Sequence, residues 1–243
     1  MSNETTSLLH GGRRASVAKI QEEQQIQVPT GFKLLVNILE WAPLWCFWLI
    51  SNVTYAYTAA FAVVVLSFCL TFVRKRLGEL TTFPKPLDVI FVVVFGSLTF
   101  LSWAYPNNVD TIERYSGSAL NGGLALGFLL SWSFGKPVIK GYQVDKLGEE
   151  KASHPVLQHI ASWLSLMFTA AFASVAIIGA IFYENDWALL FSNLILAGAF
   201  LTAYRFYPAY VKDHTEEIAS LYRNEIDEWE SKYPEISFEK ELA

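Results

Sequence analysis

Leu87-Asp-Val-Ile-Phe-Val-Val-Val-Phe-Gly-Ser-Leu-Thr-Phe-Leu-Ser-Trp-Ala-Tyr105 decides the fold. After Asp88 it carries no charge. A helix rises about 1.5 Å per residue, so about 20 residues cross the ~30 Å of bilayer hydrocarbon. A helix on a soluble core would show a polar stripe every three or four residues. This stretch shows none, so it predicts a helix that faces lipid or other apolar helices.

Working outward, five more runs share this character: Leu34–Ile50, Tyr55–Val73, Gly117–Phe134, Ala161–Tyr183 and Ala188–Tyr207. The expected fold is all-α, a polytopic bundle of about six transmembrane helices. Residues 1–31 form a polar N-terminal tail expected to be disordered, residues 32–208 the membrane domain, and residues 209–243 an acidic C-terminal helix. Of the 243 residues 53% are hydrophobic, concentrated in the middle of the chain. No signal peptide is expected, because about thirty polar residues precede the first apolar run. The net charge of −5 gives no reason to expect nucleic acid as a partner. Cys46 and Cys69 both lie in apolar runs and indicate neither a disulfide nor a metal framework.

The joints fit the count. Ser51–Thr54 and Glu184–Trp187 are short polar turns, while Pro84, Pro86, Pro106, Pro137 and Pro208 sit at span edges, where a missing N–H costs little. Trp103, Trp132, Trp163 and Trp187 mark span ends, as indoles at the headgroup level do. Numbering the non-membrane segments alternately from the inside puts all but Arg114 of the 18 Lys and Arg on the cytoplasmic side. The expected topology therefore has both termini inside, by the positive-inside rule.

Several short stretches together resemble the intracellular septation protein A family of small bacterial inner-membrane proteins. They are Tyr55-Ala-Tyr-Thr-Ala-Ala60 leading to Arg74-Lys-Arg76, then Val92-Val-Val-Phe-Gly-Ser-Leu-Thr-Phe100, Glu40-Trp-Ala-Pro43, Lys136-Pro-Val-Ile139 and Pro155 to Trp163. The resemblance covers roughly residues 34–207. It implies a membrane protein linked to envelope integrity and septation, and it implies no reaction. Arg114-Tyr-Ser-Gly117 departs from the family's Trp-Lys-Pro-like start of the fourth span. The two polar tails are also additional and suggest a different cellular setting.

Glu40, with Asn37 one turn before it, is the first polar candidate. A carboxylate in hydrocarbon is costly and marks function by default. If the span starts near Trp41, however, Glu40 lies at the interface and Pro43 in the first turn. Trp41, Trp45 and Trp48 share one helix face, suited to packing or lipid anchoring, with a ligand-stacking face as the alternative. Asn121 and Asn193 complete the intramembrane polar set, as potential interhelical partners. Gly122, Gly123 and Gly127 start the fourth run. Gly123 and Gly127 form a GxxxG pair for packing on a neighbour or for a homodimer seam. Asn121-Gly122-Gly123 could instead loosen the helix, as in transporters with broken helices. The two halves show no convincing self-similarity.

His154 and His159 are five apart, too far for one helix face, so residues 135–160 are expected to be a solvated loop without metal. Val138, Ile139, Tyr142 and Leu147, among lysines 136, 140 and 146, could form an in-plane piece on anionic lipid. In the C-terminal tail Ile218, Tyr222, Ile226 and Trp229 recur at helical spacing opposite an acidic face. They could form a surface for a protein partner or for self-association, the alternative being a solvated helical extension. Glu4-Thr-Thr-Ser-Leu8-Leu9 matches an acidic dileucine sorting signal, and Arg13-Arg-Ala-Ser16 a basophilic phosphorylation site. Both favour a eukaryotic endomembrane or plasma-membrane setting. Asn52-Val-Thr54 matches a glycosylation acceptor, too close to the membrane to be used.

No nucleophile elbow, HExxH, P-loop or dinucleotide fingerprint occurs, and no enzyme activity, cofactor or metal is expected. The leading expectation is a non-catalytic membrane protein that supports membrane or envelope organisation through partners. The alternative is a small proton- or ion-coupled transporter or channel using Glu40.

Overall fold

The computed structural model describes residues 50–234 apart from positions 79, 81 and 184, together with Ala42, Pro43, Cys46 and Leu49. Glu4, Leu8, Leu9, Ser16, Asn37 and Glu40 lie outside the described residues, as does most of the first apolar run.

The described residues are helical, with no strand among them. The long helices are α1 (Val53–Arg76), α2 (Pro86–Ala104), α3 (Val109–Ser133), α6 (Pro155–Ile181) and α7 (Asp186–Leu201). Two shorter ones, α4 (Val138–Leu147) and α5 (Glu149–Ala152), lie between α3 and α6. After α7 a π-turn at Thr202–Phe206 leads into α8 (Tyr207–Asp213), α9 (Thr215–Leu221) and α10 (Arg223–Lys232). Pro208 sits just past that π-turn, and having no N–H it cannot complete the regular ladder.

Four helices are long and apolar enough to cross a membrane: Val53–Arg76, Pro86–Ala104, Pro155–Ile181 and Trp187–Val211. They correspond to four of the six runs read from the sequence. The run Gly117–Phe134 lies in α3, which meets that test only jointly with α4, from which it is bent by 70°. Its glycines, serines and Asn121 dilute the apolar character that the other four keep.

Burial shows how these helices solve packing without water. Many large apolar side chains point outward, with Val93 60%, Phe100 68% and Leu189 66% exposed, although Tyr57 and Phe95 are buried. Small residues point inward, with Ala60, Ala161 and Ser165 fully buried. A soluble bundle would do the reverse. In lipid no hydrophobic force drives helices together, so contact comes from small residues that let backbones approach. This arrangement and the four long apolar helices are what an integral membrane protein requires.

Helix α3 is the centre. It packs most extensively on α6, and also on α2, while α1 packs on α2 and α7 on α6. A Cβ at Gly123 would overlap Val94, and one at Gly127 would overlap Ile90, both on α2. A Cβ at Gly122 would lie 3.8 Å from Ala176 of α6, and the Ser118 hydroxyl sits 2.8 Å from where Gly179 would carry a Cβ. The GxxxG pair is therefore an internal seam, and it is not free to form a homodimer. Helix α3 runs unbroken through Asn121-Gly-Gly123, which corrects the broken-helix expectation. The Asn121 amide donates to Gly117 O within its own helix at 2.8 Å. Asn193 is exposed on α7, and no hydrogen bond among the described residues joins the two asparagines.

Two ends are defined by contacts between distant segments. At one end Trp103 donates to Thr58 Oγ1 at 3.0 Å, the Tyr55 ring packs on Trp103, and Arg114 lies 4.3 Å over the Tyr183 ring. Here Asn52 and Asn185 cap α1 and α7, each accepting an N–H from the first turn. The other end gathers Arg74, Lys75, Arg76, Lys85 and the lysines between residues 136 and 151. It is the basic end.

Candidate functional site at the basic end of the bundle

The segment expected to be a solvated loop is folded. Gly135, at φ 69°, closes α3, and Gly148, at φ 86°, closes α4. Both adopt the left-handed region that glycine tolerates best. Between them α4 turns its apolar side inward. Val138 is fully buried and joins Phe128, Phe168, Ala171 and Ala199 in one core cluster, and Val144 is buried as well. The in-plane helix therefore exists, but Val138, Val144 and part of Ile139 face the bundle, while Tyr142 stays outside.

One ion pair fastens α4 to the α1–α2 connection. Asp145 Oδ2 lies 3.0 Å from Lys85 Nζ, with both side chains nearly buried. Asp145 Oδ1 accepts from the Thr82 N–H at 3.1 Å and from its hydroxyl at 2.9 Å. The Lys85 ammonium also sits 4.7 Å from the Tyr142 ring centroid. With its charge paired and its other oxygen hydrogen-bonded, Asp145 is a structural clamp of the kind that survives burial.

The second cluster joins the C-terminal segment to the start of α6. His154 is buried and caps α6: its Nδ1 accepts the Val156 N–H at 3.3 Å, ahead of Pro155 in the first turn. The Trp229 ring meets His154 edge-on with centroids 4.8 Å apart. Its indole N–H is shared between Ser153 Oγ at 3.0 Å and Glu150 O at 3.3 Å. One turn further along α6, His159 Nδ1 is 2.7 Å from the Tyr222 hydroxyl. Ile218 packs in a buried cluster with Val156 and Val211, joined by Tyr222 and Ile226. Burial pushes the His154 imidazole below its ordinary value, since the charged form would lose water. The neutral ring with an unprotonated Nδ1 is the form that accepts the cap hydrogen bond.

The tail expectation is therefore corrected. Ile218, Tyr222, Ile226 and Trp229 do share a face, but that face meets the chain's own α6 and the α5–α6 junction. The tail is also three short helices, broken at His214 and Tyr222, where the sequence suggested one. Its carboxylates Glu216, Glu217, Asp227 and Glu230 remain exposed.

Between the tail and α6 lies an open cavity of about 810 Å³. Trp132 of α3 and Trp163 and Leu166 of α6 line one side, and Tyr222, Trp229 and Tyr233 the tail side. Glu225, Glu228 and Lys232 also line it, on the stripe of α10 that carries Trp229. No group of three or more His, Cys, Asp or Glu suited to a metal occurs among the described residues. Compared with protein-family models, curated proteins and solved structures, the chain matches none. The resemblance to the septation family thus rests on the quoted motifs alone.

Sequence reasoning missed the histidine joint and the clamp. His154-Pro155 was legible as a helix start, since proline favours the first turn. The Trp229–His154 and Lys85–Asp145 contacts join residues too far apart in the chain for any local pattern to reveal.

Proposed function

We propose that this protein is a non-catalytic integral membrane factor that supports membrane or envelope organisation through protein partners, with septation as the setting its resemblance implies. The observation that carries this reading is the docked tail. With Ile218, Tyr222, Ile226 and Trp229 turned inward, α9 and α10 hold Glu216, Glu217, Asp227 and Glu230 outward as a fixed acidic surface. Anionic lipid repels such a surface, whereas a basic protein surface attracts it and gains association rate from the charge. The positive-inside distribution supports a cytoplasmic basic end, and hence a cytoplasmic partner. The Glu4-Leu8-Leu9 and Ser16 motifs belong to the same proposal, as a route to an endomembrane or plasma membrane and as a regulatory site.

The transporter or channel reading rests on Glu40. Among the described spans no carboxylate lies mid-helix: Asp88 stands in the first turn of α2, and Asp110 and Glu113 near the start of α3. That leaves the partner reading in front. The test is a quadruple variant, Glu216→Gln, Glu217→Gln, Asp227→Asn and Glu230→Gln, expressed in cells lacking the native protein. The expected result is normal membrane level with loss of both cross-linked partner and envelope phenotype rescue. Full rescue with an unchanged cross-linking pattern would remove the acidic surface from the account.

A further inference from the structure

We propose that the cavity between α6 and α10 is a binding site for the headgroup of a zwitterionic phospholipid of the choline type. Three features point to this ligand. The first is the position. The cavity opens beside Trp132, near the C-terminal end of α3, and Trp163, 56% exposed on α6, so its mouth lies where indoles meet headgroups. The second is the wall chemistry. Five aromatic rings, those of Trp132, Trp163, Trp229, Tyr222 and Tyr233, line it together with the carboxylates of Glu225 and Glu228. Aromatic faces with nearby carboxylates recognise quaternary ammonium groups, which cannot donate hydrogen bonds and bind through charge and ring quadrupole. One ring already holds a cation, because Lys232 Nζ sits 5.3 Å over Tyr233.

The third feature is the balance of charge. Among the described residues Lys232 is the only Lys or Arg lining the cavity and is placed to meet a phosphate, while two carboxylates oppose it. The His159 imidazole, on the same wall, is engaged with Tyr222. A headgroup carrying an anion alone would set its charge against Glu225 and Glu228. A headgroup carrying both signs satisfies Lys232 and the carboxylates together. A volume near 810 Å³ falls in the range of small-molecule sites and has room for a headgroup with its glycerol. Leu166 and Trp163 then meet the first methylenes of the chains. This inference uses the α6-facing stripe of the tail and does not depend on the outward acidic surface, so either proposal can fail without the other.

The experiment is native mass spectrometry of the full chain in maltoside micelles. It is titrated separately with dihexanoyl phosphatidylcholine, dihexanoyl phosphatidylglycerol and free phosphocholine. The expected result is one saturable phosphatidylcholine adduct, with the glycerol headgroup and free phosphocholine each at least about tenfold weaker. The Glu225→Gln/Glu228→Gln variant, altered only at exposed side chains, should bind phosphatidylcholine about tenfold less tightly, and Trp163→Ala should weaken it similarly. Limited proteolysis across residues 207–234 checks that the tail stays docked in both variants. Equal binding of both lipids, no saturable adduct, or variants that bind like the parent chain would each overturn the site. Equal affinity for free phosphocholine would overturn its assignment to a membrane lipid.

Discussion

The glycine seam inside the bundle and the joint at its basic end are held by different physics. Along α2, α3 and α6 contact is a matter of shape: Val94 and Ile90 occupy the space that Gly123 and Gly127 leave, and Ala176 lies against Gly122. At the basic end the contacts carry polar groups, such as Lys85–Asp145, Thr82–Asp145, His159–Tyr222 and Trp229–Ser153. The difference follows the solvent. In hydrocarbon, close packing is the available attraction, and an unpaired polar group is expensive. At the water boundary polar partners can be chosen, and they bring specificity and sensitivity to pH. The seam should therefore respond to side-chain volume, and the joint to charge and protonation.

The largest expected effect is at the clamp. Asp145→Ala strands the Lys85 ammonium in a nearly buried position and should destabilise the protein by about 3–5 kcal/mol. Thermal unfolding of the detergent-solubilised protein measures it. Lys85→Met combined with Asp145→Leu should recover most of the loss, whereas recovery of nothing would show that the pair is not what holds α4 to the α1–α2 connection. Next comes the seam. Gly127→Leu drives a side chain into Ile90 and should cost about 1–3 kcal/mol by overpacking, with Ile90→Ala in the same chain restoring part of it. A neutral Gly127→Leu would mean that α2 and α3 do not meet as described.

Smaller is the pH response of the joint. The folded His154 binds its proton less readily than the unfolded one, so its contribution to docking is present above the ordinary histidine value of 6.5. It is lost as pH falls from there through the lowered folded value. Hydrogen exchange across residues 215–233 should therefore rise as the pH drops below about 6.5, after correction for intrinsic rates. The His154→Gln variant, whose amide can still accept from Val156, should show a clearly smaller step, with the His159–Tyr222 contact left in place. A step of equal size in that variant would assign the titration to another group. Least of all should Ser165→Ala matter. The Ser165 hydroxyl is fully buried without a hydrogen-bond partner among the described residues, so the residue acts as a small spacer on α6. Removing the oxygen should change the unfolding midpoint by about zero or slightly raise it. A large loss would reveal a polar role.

What the sequence disclosed divides along the same line. Four of the spans were legible because a run such as Leu87–Tyr105 announces its solvent by omitting charge. Their ends moved modestly: α6 begins at Pro155, six residues before the expected Ala161, because His154 caps it. Gly123 and Gly127 declared close packing but not the partner, since spacing names a face and not what covers it. The same limit applies to Ile218, Tyr222, Ile226 and Trp229. Their periodicity correctly marked a buried face, yet nothing local could show that the cover is the chain's own α6. The clamp was invisible, because Lys85 and Asp145 read one at a time are ordinary charges in polar connections.

The docked tail is the central claim, and the cysteine accessibility of two neighbouring positions tests it most directly. Ile218 is 5% exposed and Leu221 70% exposed, on the same short helix α9. Each is replaced by cysteine in a chain carrying Cys46→Ser and Cys69→Ser, then treated with a membrane-impermeant maleimide in opened membranes. The account predicts fast labelling of Leu221→Cys and slow labelling of Ile218→Cys until denaturant is added. Equal, fast labelling of both would contradict it and return the apolar face of the tail to an external partner.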